Sequence, residues 1–112
     1  MSTFTFRLYA LSLEALRAVG IVAAQIARHD PDLARQLRRA STSMHLNIAE
    51  GMDAEGRIRI ARYRTALGST NESIAAIDAA DALRYVHRDE DVLDKLHHVR
   101  ATLLNLVVRK AR

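Results

Sequence analysis

The sequence predicts an all-α protein, four helices joined by short turns and packed as an antiparallel up-and-down bundle. Three observations carry this prediction. Gly, Pro and aromatic residues are scarce while Ala, Leu and Arg abound, and these are among the residues that lose least on entering a helix. Apolar residues recur at three- and four-residue spacing, and no segment alternates as a strand would. Capping and turn residues then divide the chain into stretches of helical length, with no linker, internal repeat or low-complexity tract between them.

The first helix is expected over about 8–28, where Leu8, Leu11, Ala15, Val19, Val22 and Ile26 make the core stripe. Gly20 sits inside it at a cost near ~1 kcal/mol and marks a close helix contact or simple tolerance. His29-Asp30-Pro31-Asp32 is the clearest boundary in the chain: Asp30 is placed to cap, Pro31 suits the first helical position, and Asp32 complements the positive end of the dipole. The second helix runs over about 31–50 on Leu33, Leu37, Ala40, Met44 and Ile48, with Gly51 as its stop. After a polar turn at 53–56, the third helix spans about 56–86, with Ile60, Tyr63, Leu67, Ile74 and Ile77 facing the core. It carries a second face of small residues, Ala61, Gly68, Ala75 and Ala82, at heptad spacing. Such a face lets another backbone approach closely, so this helix is expected to pack on two sides and the protein to self-associate. Asp89, Glu90 and Asp91 load the start of a fourth helix over about 90–109. Val92, Leu96, Val99, Leu103, Leu106 and Val107 form its core stripe, and Arg109, Lys110 and Arg112 bring positive charge to its end.

At 112 residues the chain is read as one domain, 1–112. The absence of Cys excludes disulfide frameworks, thiolate metal sites and thiol nucleophiles, and fits a cytoplasmic protein. No signal peptide is read at the N-terminus, and the longest apolar run, 18–27, is far short of the ~20 residues a membrane span needs. The expectation is a protein with no membrane partner. Net charge is +4 with pI near 10.1, and all but Lys95 and Lys110 of the 17 basic residues are Arg. That balance permits attraction to nucleic acid or an acidic protein, modestly, against 13 acidic residues.

Three constellations bear on function. A polar stripe on the second helix, Gln36, Arg39, Ser43, Asn47 and Glu50, runs beside the apolar one, and Ser69 and Glu72 of the third helix join it. One reading makes Arg39 a ligand-binding cation with Glu50 and Glu72 as general acid and base. The favoured reading is structural: the stripe satisfies itself across packed helices and sets their register. No histidine lies on it to activate a nucleophile, and His45 points about 180° away. Five histidines raise a metal reading, but the nearest match to a bundle metal motif, Asp94-x-x-His97, occurs once, and His97 and His98 lie off the core stripe. No metal, cofactor or catalytic residue is assigned. The third constellation is basic: Arg35 and Arg38, then Arg57, Arg59, Arg62 and Arg64, a candidate nucleic-acid-binding set with no aromatic interleaved except Tyr63, which reads as core.

QLRRA at Gln36–Ala40, Ser43, NIAEG at Asn47–Gly51, and Ala66, Leu67, Gly68, Ser69 and Glu72 together resemble the bacterial four-helix bundle proteins first noticed in intervening sequences of large-subunit ribosomal RNA genes. The resemblance runs from about Pro31 to Val86. The chain departs from the fuller pattern in lacking an aromatic-rich start to the first helix and in a shortened connection before the second. The resemblance implies a bundle that assembles as a ring-like homo-oligomer, a pentamer in relatives, with no established function and nucleic acid as the common suggestion. The expectation is thus a non-enzymatic homo-oligomeric scaffold that presents arginines to RNA, DNA or an acidic protein. A purely structural oligomer is the alternative, and a small-molecule or metal-dependent enzyme a distant one.

Overall fold

Four helices account for the regular structure of residues 3–111, which the computed structural model describes, with side chains described as far as Arg109: α1 (Thr3–Ala27), α2 (Pro31–Asp53), α3 (Gly56–Ala82) and α4 (Glu90–Ala111). Each run of apolar residues becomes a helix because burying its stripe against a neighbour stabilises it, by ~1.5–3 kcal/mol for each large side chain fully buried. α1 and α3 each pack on both α2 and α4, which makes the expected up-and-down arrangement. The molecule measures 42 × 22 × 21 Å, one helix long and two helices wide.

The boundaries follow local chemistry. The Asp30 carboxylate accepts a hydrogen bond from the Leu33 N–H at 3.0 Å and Pro31 opens α2, as its sequence signature requires. Asp89 does the same for α4, accepting from the Val92 N–H at 3.2 Å. Three expected boundaries are corrected. α1 starts at Thr3, earlier than its apolar stripe. α2 runs through Gly51 to Asp53, so Gly51 is helix interior and not a stop. α3 ends at Ala82 rather than Val86, because Arg84 adopts a left-handed conformation (φ 63°) and the Tyr85 N–H bonds back to the Ala80 carbonyl at 2.9 Å, closing a Schellman-type terminus. The Lys110 and Arg112 side chains expected at the end of α4 lie outside those described.

The core holds Leu8, Ala15, Val19, Val22 and Ile26 of α1, Leu37, Met44 and Ile48 of α2, Tyr63 and Ile77 of α3, and Leu96, Val99, Leu103 and Val107 of α4. α3 departs furthest from its expected face. Its buried side is Tyr63, Ala66, Ser69, Thr70, Ser73, Ala76, Ile77 and Ala80, while Leu67 and Ile74 sit only partly buried at the flank. The buried hydroxyls are satisfied within their own helix: Thr70 Oγ1 donates to the Ala66 carbonyl at 2.7 Å and Ser73 Oγ to the Ser69 carbonyl at 2.9 Å. Polar residues so satisfied pass as small core residues, and no apolar period reveals them. The heptad-spaced Ala61, Gly68, Ala75 and Ala82 are exposed, and a Cβ built on Gly68 would have nothing within 4 Å. Within one chain that face is open to solvent.

α1 also differs from expectation in hydropathy. Its 25 residues include a window of mean hydropathy 1.5, long and apolar enough by composition to cross a membrane. Its stripe from Leu8 to Ile26 is nonetheless buried against the other helices of the bundle.

Candidate binding face on α2 and α3

The α2–α3 pairing is antiparallel and its register is set by side chains. Ser43 Oγ and Ser69 Oγ are 2.8 Å apart, and the Asn47 amide donates to the Ser43 carbonyl (2.9 Å) and to its hydroxyl (3.2 Å). Eight residues beyond Ser43 along α2, near the helix end, Tyr63 lies across Gly51 so closely that a Cβ there would sit 2.5 Å from the ring Cε1. Glu50 pairs with Arg62 at 3.0 Å, both about half exposed, an interaction worth ~0–1 kcal/mol in water. The polar stripe therefore divides. Ser43, Asn47 and Ser69 form the inter-helix network. Gln36, Arg39 and Glu72 are exposed and make no hydrogen bond or ion pair among the described residues, so the expected mutual satisfaction of Arg39 and Glu72 does not occur within one chain.

Two adjoining shallow clefts open on this face. One, of about 470 Å³, is lined by Arg38, Arg39 and Arg62 together with Thr42, Leu46 and Glu50. The second, of about 500 Å³, is lined by Gln36, Arg39, Ser43, Ser69 and Glu72. Arg39 borders both. Glu50 and Glu72 fall in different clefts: Glu50 meets Arg62, and Glu72 is ten residues beyond Arg62 on α3, about 15 Å along the axis. Two carboxylates so far apart do not form an acid–base pair, which removes the geometry that the enzymatic reading needed.

The six candidate arginines do not form one patch. Arg35 pairs with Asp32 of its own first turn. Arg38 shares the first cleft with Arg39 and Arg62. Arg57 and Arg64 are exposed without partners among the described residues, and Arg64, two residues on from Arg62, faces about 200° round α3. Arg59 has a different task. Its Nε donates to the carbonyls of Gly51 (3.0 Å) and Ala54 (2.8 Å), and its Nη2 to that of Met52 (3.2 Å). A guanidinium here satisfies the orphan carbonyls at the C-terminal end of α2 and complements its dipole. Arg59 belongs to the fold and is removed from the nucleic-acid-binding set. Arg39, read as register, and Leu46, overlooked in the sequence, line the cleft with Arg38 and Arg62, and only the α2–α3 register could have shown that.

A second polar cluster escaped the sequence altogether. Ser12 of α1 is fully buried and its hydroxyl donates to the Tyr9 carbonyl at 2.9 Å. A serine has one hydroxyl proton, so the His45 Nδ1, 2.8 Å from Ser12 Oγ, is the N–H that donates to it. His45 also lies against the Tyr9 ring, with centroids 4.7 Å apart. Burial pushes its imidazole below the ordinary histidine range. With Ser12 enclosed, this pair has no route to a substrate and ties α1 to α2. His97 and His98 are exposed as expected, and no group of metal-ligating side chains converges among the described residues.

A profile of the 23S rRNA-intervening sequence protein family matches residues 5–105. The chain is similar in fold to the crystal structure, at 1.70 Å resolution, of a protein with unknown function from the S23 ribosomal protein family of Bacteroides thetaiotaomicron VPI-5482. The TM-score is 0.83 at 20% identity, over 89% of this chain and 97% of that one. No curated protein matches the sequence.

Proposed function

The chain belongs to the 23S rRNA-intervening sequence protein family, and on that premise we propose a non-enzymatic, self-associating scaffold that offers the arginines of its α2–α3 face to nucleic acid. The observation that carries this reading is the cleft bordered by three arginines, where Arg38 and Arg39 stand without partners among the described residues and Arg62 holds only an exposed ion pair. Unpaired guanidiniums have no ion pair to break on meeting a phosphate, are more weakly hydrated than an ammonium, and match its oxygens bidentately. The family is named for ribosomal RNA and the Bacteroides neighbour belongs to a family named for a ribosomal protein, which points to the same class of partner.

Self-association is supported by what this face leaves uncovered. Leu46 is 53% and Ile58 64% exposed, beside the open small residues Ala61, Gly68 and Ala75. A homopentameric ring is the assembly the resemblance implies, and a cytoplasmic location belongs to the same proposal. Copies of the cleft around a ring would add their fields and their contacts. The same apolar residues favour the second reading, an oligomer whose role is structural.

Fluorescence anisotropy of labelled RNA and DNA oligonucleotides, across a salt series and with size-verified protein, separates the two. Phosphate binding gives a linear fall of log affinity with log salt, and a shallower slope in Arg38→Ala and Arg39→Ala. No binding at low salt would replace the nucleic-acid reading by the structural one.

A further inference from the structure

At the end of the bundle formed by the α1–α2 and α3–α4 turns, an aromatic platform stands beside unpaired charge. The rings of His29 and Tyr85, one from each turn, stack in parallel, with centroids 5.4 Å apart and planes 5° apart. Tyr85 is half-buried and packed against the core, so the platform is held by the fold rather than by the turn alone. Beside it opens a cleft of about 420 Å³ lined by Asp81, Arg84, Tyr85, Val86 and His87. That volume falls within the ~300–1,000 Å³ typical of sites for small ligands.

The residue types in the cleft are informative. Arg84 holds a left-handed backbone at the position after a helix where glycine is usual, a conformation that its Cβ disfavours. The arginine there puts a guanidinium at the cleft, and it has no partner among the described residues. The nearby Arg88 is already engaged, by Asp78 at 2.9 Å and Glu90 at 2.7 Å, which also neutralises those carboxylates. The cleft thus combines a flat aromatic surface, two side chains that carry N–H donors, Arg84 and His87, and one acceptor, the Asp81 carboxylate.

We infer that this cleft binds a nucleotide: the base stacks on Tyr85, the phosphate meets Arg84 and His87, and Asp81 accepts from a ribose hydroxyl or an exocyclic amino group. Stacking on an aromatic ring accepts any base, and a guanidinium fits a phosphate. Free nucleotide and the phosphorylated end of a strand share this chemistry. The site does not depend on the α2–α3 face.

The test is a titration of the isotope-labelled full chain with adenosine monophosphate, followed by the imidazole carbon–proton resonances of His29 and His87. Saturable shifts of both are expected, with ribose phosphate roughly tenfold weaker because it cannot stack. Tyr85→Leu, which keeps an apolar contact with the core, and Arg84→Gly, which suits the left-handed backbone, are each expected to weaken binding roughly tenfold at an unchanged melting temperature. Arg38→Ala leaves this binding intact, so failure here is distinguishable from failure at the α2–α3 face. A terminally phosphorylated oligonucleotide that binds more tightly than the mononucleotide identifies a strand end; equal or weaker binding identifies free nucleotide. No shift at either histidine up to about 10 mM nucleotide overturns the proposal. Equal shifts with ribose phosphate, or an Arg84→Gly variant that binds as well as the parent, overturn it as well.

Discussion

A glycine inside a helix ordinarily costs ~0.5–1 kcal/mol relative to alanine, so replacing it ordinarily stabilises. Gly51 reverses that sign. The atom that alanine adds would stand 2.5 Å from Cε1 and 2.7 Å from Cδ1 of Tyr63, whose ring is almost wholly enclosed and has no room to retreat. Gly51→Ala is expected to cost about 1–3 kcal/mol in urea denaturation, and a stabilised variant would show that the ring moves freely. The same ring has an opposite liability at its far end. Tyr63 Oη is buried without a hydrogen-bond partner, and desolvation pushes the phenol above its ordinary range, against a smaller lowering by Arg59. Tyr63→Phe removes an unsatisfied polar atom at nearly constant shape. It is expected to leave stability equal or higher by up to about 1 kcal/mol, and a marked loss in the melt would reveal a partner for the hydroxyl.

The helix ends and pairings depend on contacts between elements. Arg59, from the first turns of α3, closes α2 through three backbone carbonyls. Arg59→Ala is expected to lower stability by about 1–2 kcal/mol, with Arg59→Lys recovering part of it, since charge alone reproduces the dipole term but not the fork of donors. A melt unmoved by Arg59→Ala would return that residue to the surface set. Between α1 and α2, His45 supplies the pH dependence. Its pKa in the folded protein lies below the unfolded value near ~6.5, so the folded state disfavours the proton. The stability that neutral His45 contributes is present above that unfolded value and lost as the pH falls through the folded one. The melting temperature is expected to drop on acidification below about pH 6.5, and to drop less in His45→Gln. Equal slopes for parent and variant would assign the acid sensitivity to other groups.

For the whole molecule, what matters is which surfaces one chain leaves unused. A Cβ on Gly68 would have nothing within 4 Å and its heptad neighbours are exposed, so Gly68→Leu extends a side chain away from the bundle. If that face receives another copy, the substitution is expected to shift sedimentation toward smaller species while the helical content by circular dichroism stays that of the parent. Unchanged assembly would place the contact between copies elsewhere. The exposed Leu46 and Ile58 mark the adjoining surface on which a partner copy would add buried area.

Fold class, helix count, the Asp30-Pro31 boundary and most of the α1, α2 and α4 core were legible in the sequence, because helical periodicity and capping are local properties read within a few residues. The α3 face was not. Its buried Ser69, Thr70 and Ser73 are polar by type and become core-compatible only because two of them spend their hydroxyls on their own helix, and Ser69 meets Ser43 across the interface. The candidate site divided along the same line. That arginines populate α2 and the start of α3 is written in the chain. That Arg59 closes a helix, that Arg38, Arg39 and Arg62 share a cleft, that Glu50 and Glu72 stand apart, and that His29 finds Tyr85 are facts of register and packing. Sequence alone determined which segments are helices and roughly which sides are apolar. Tertiary structure decided which polar groups meet, because those distances depend on how one helix is seated against the next, and no spacing along a single helix encodes that.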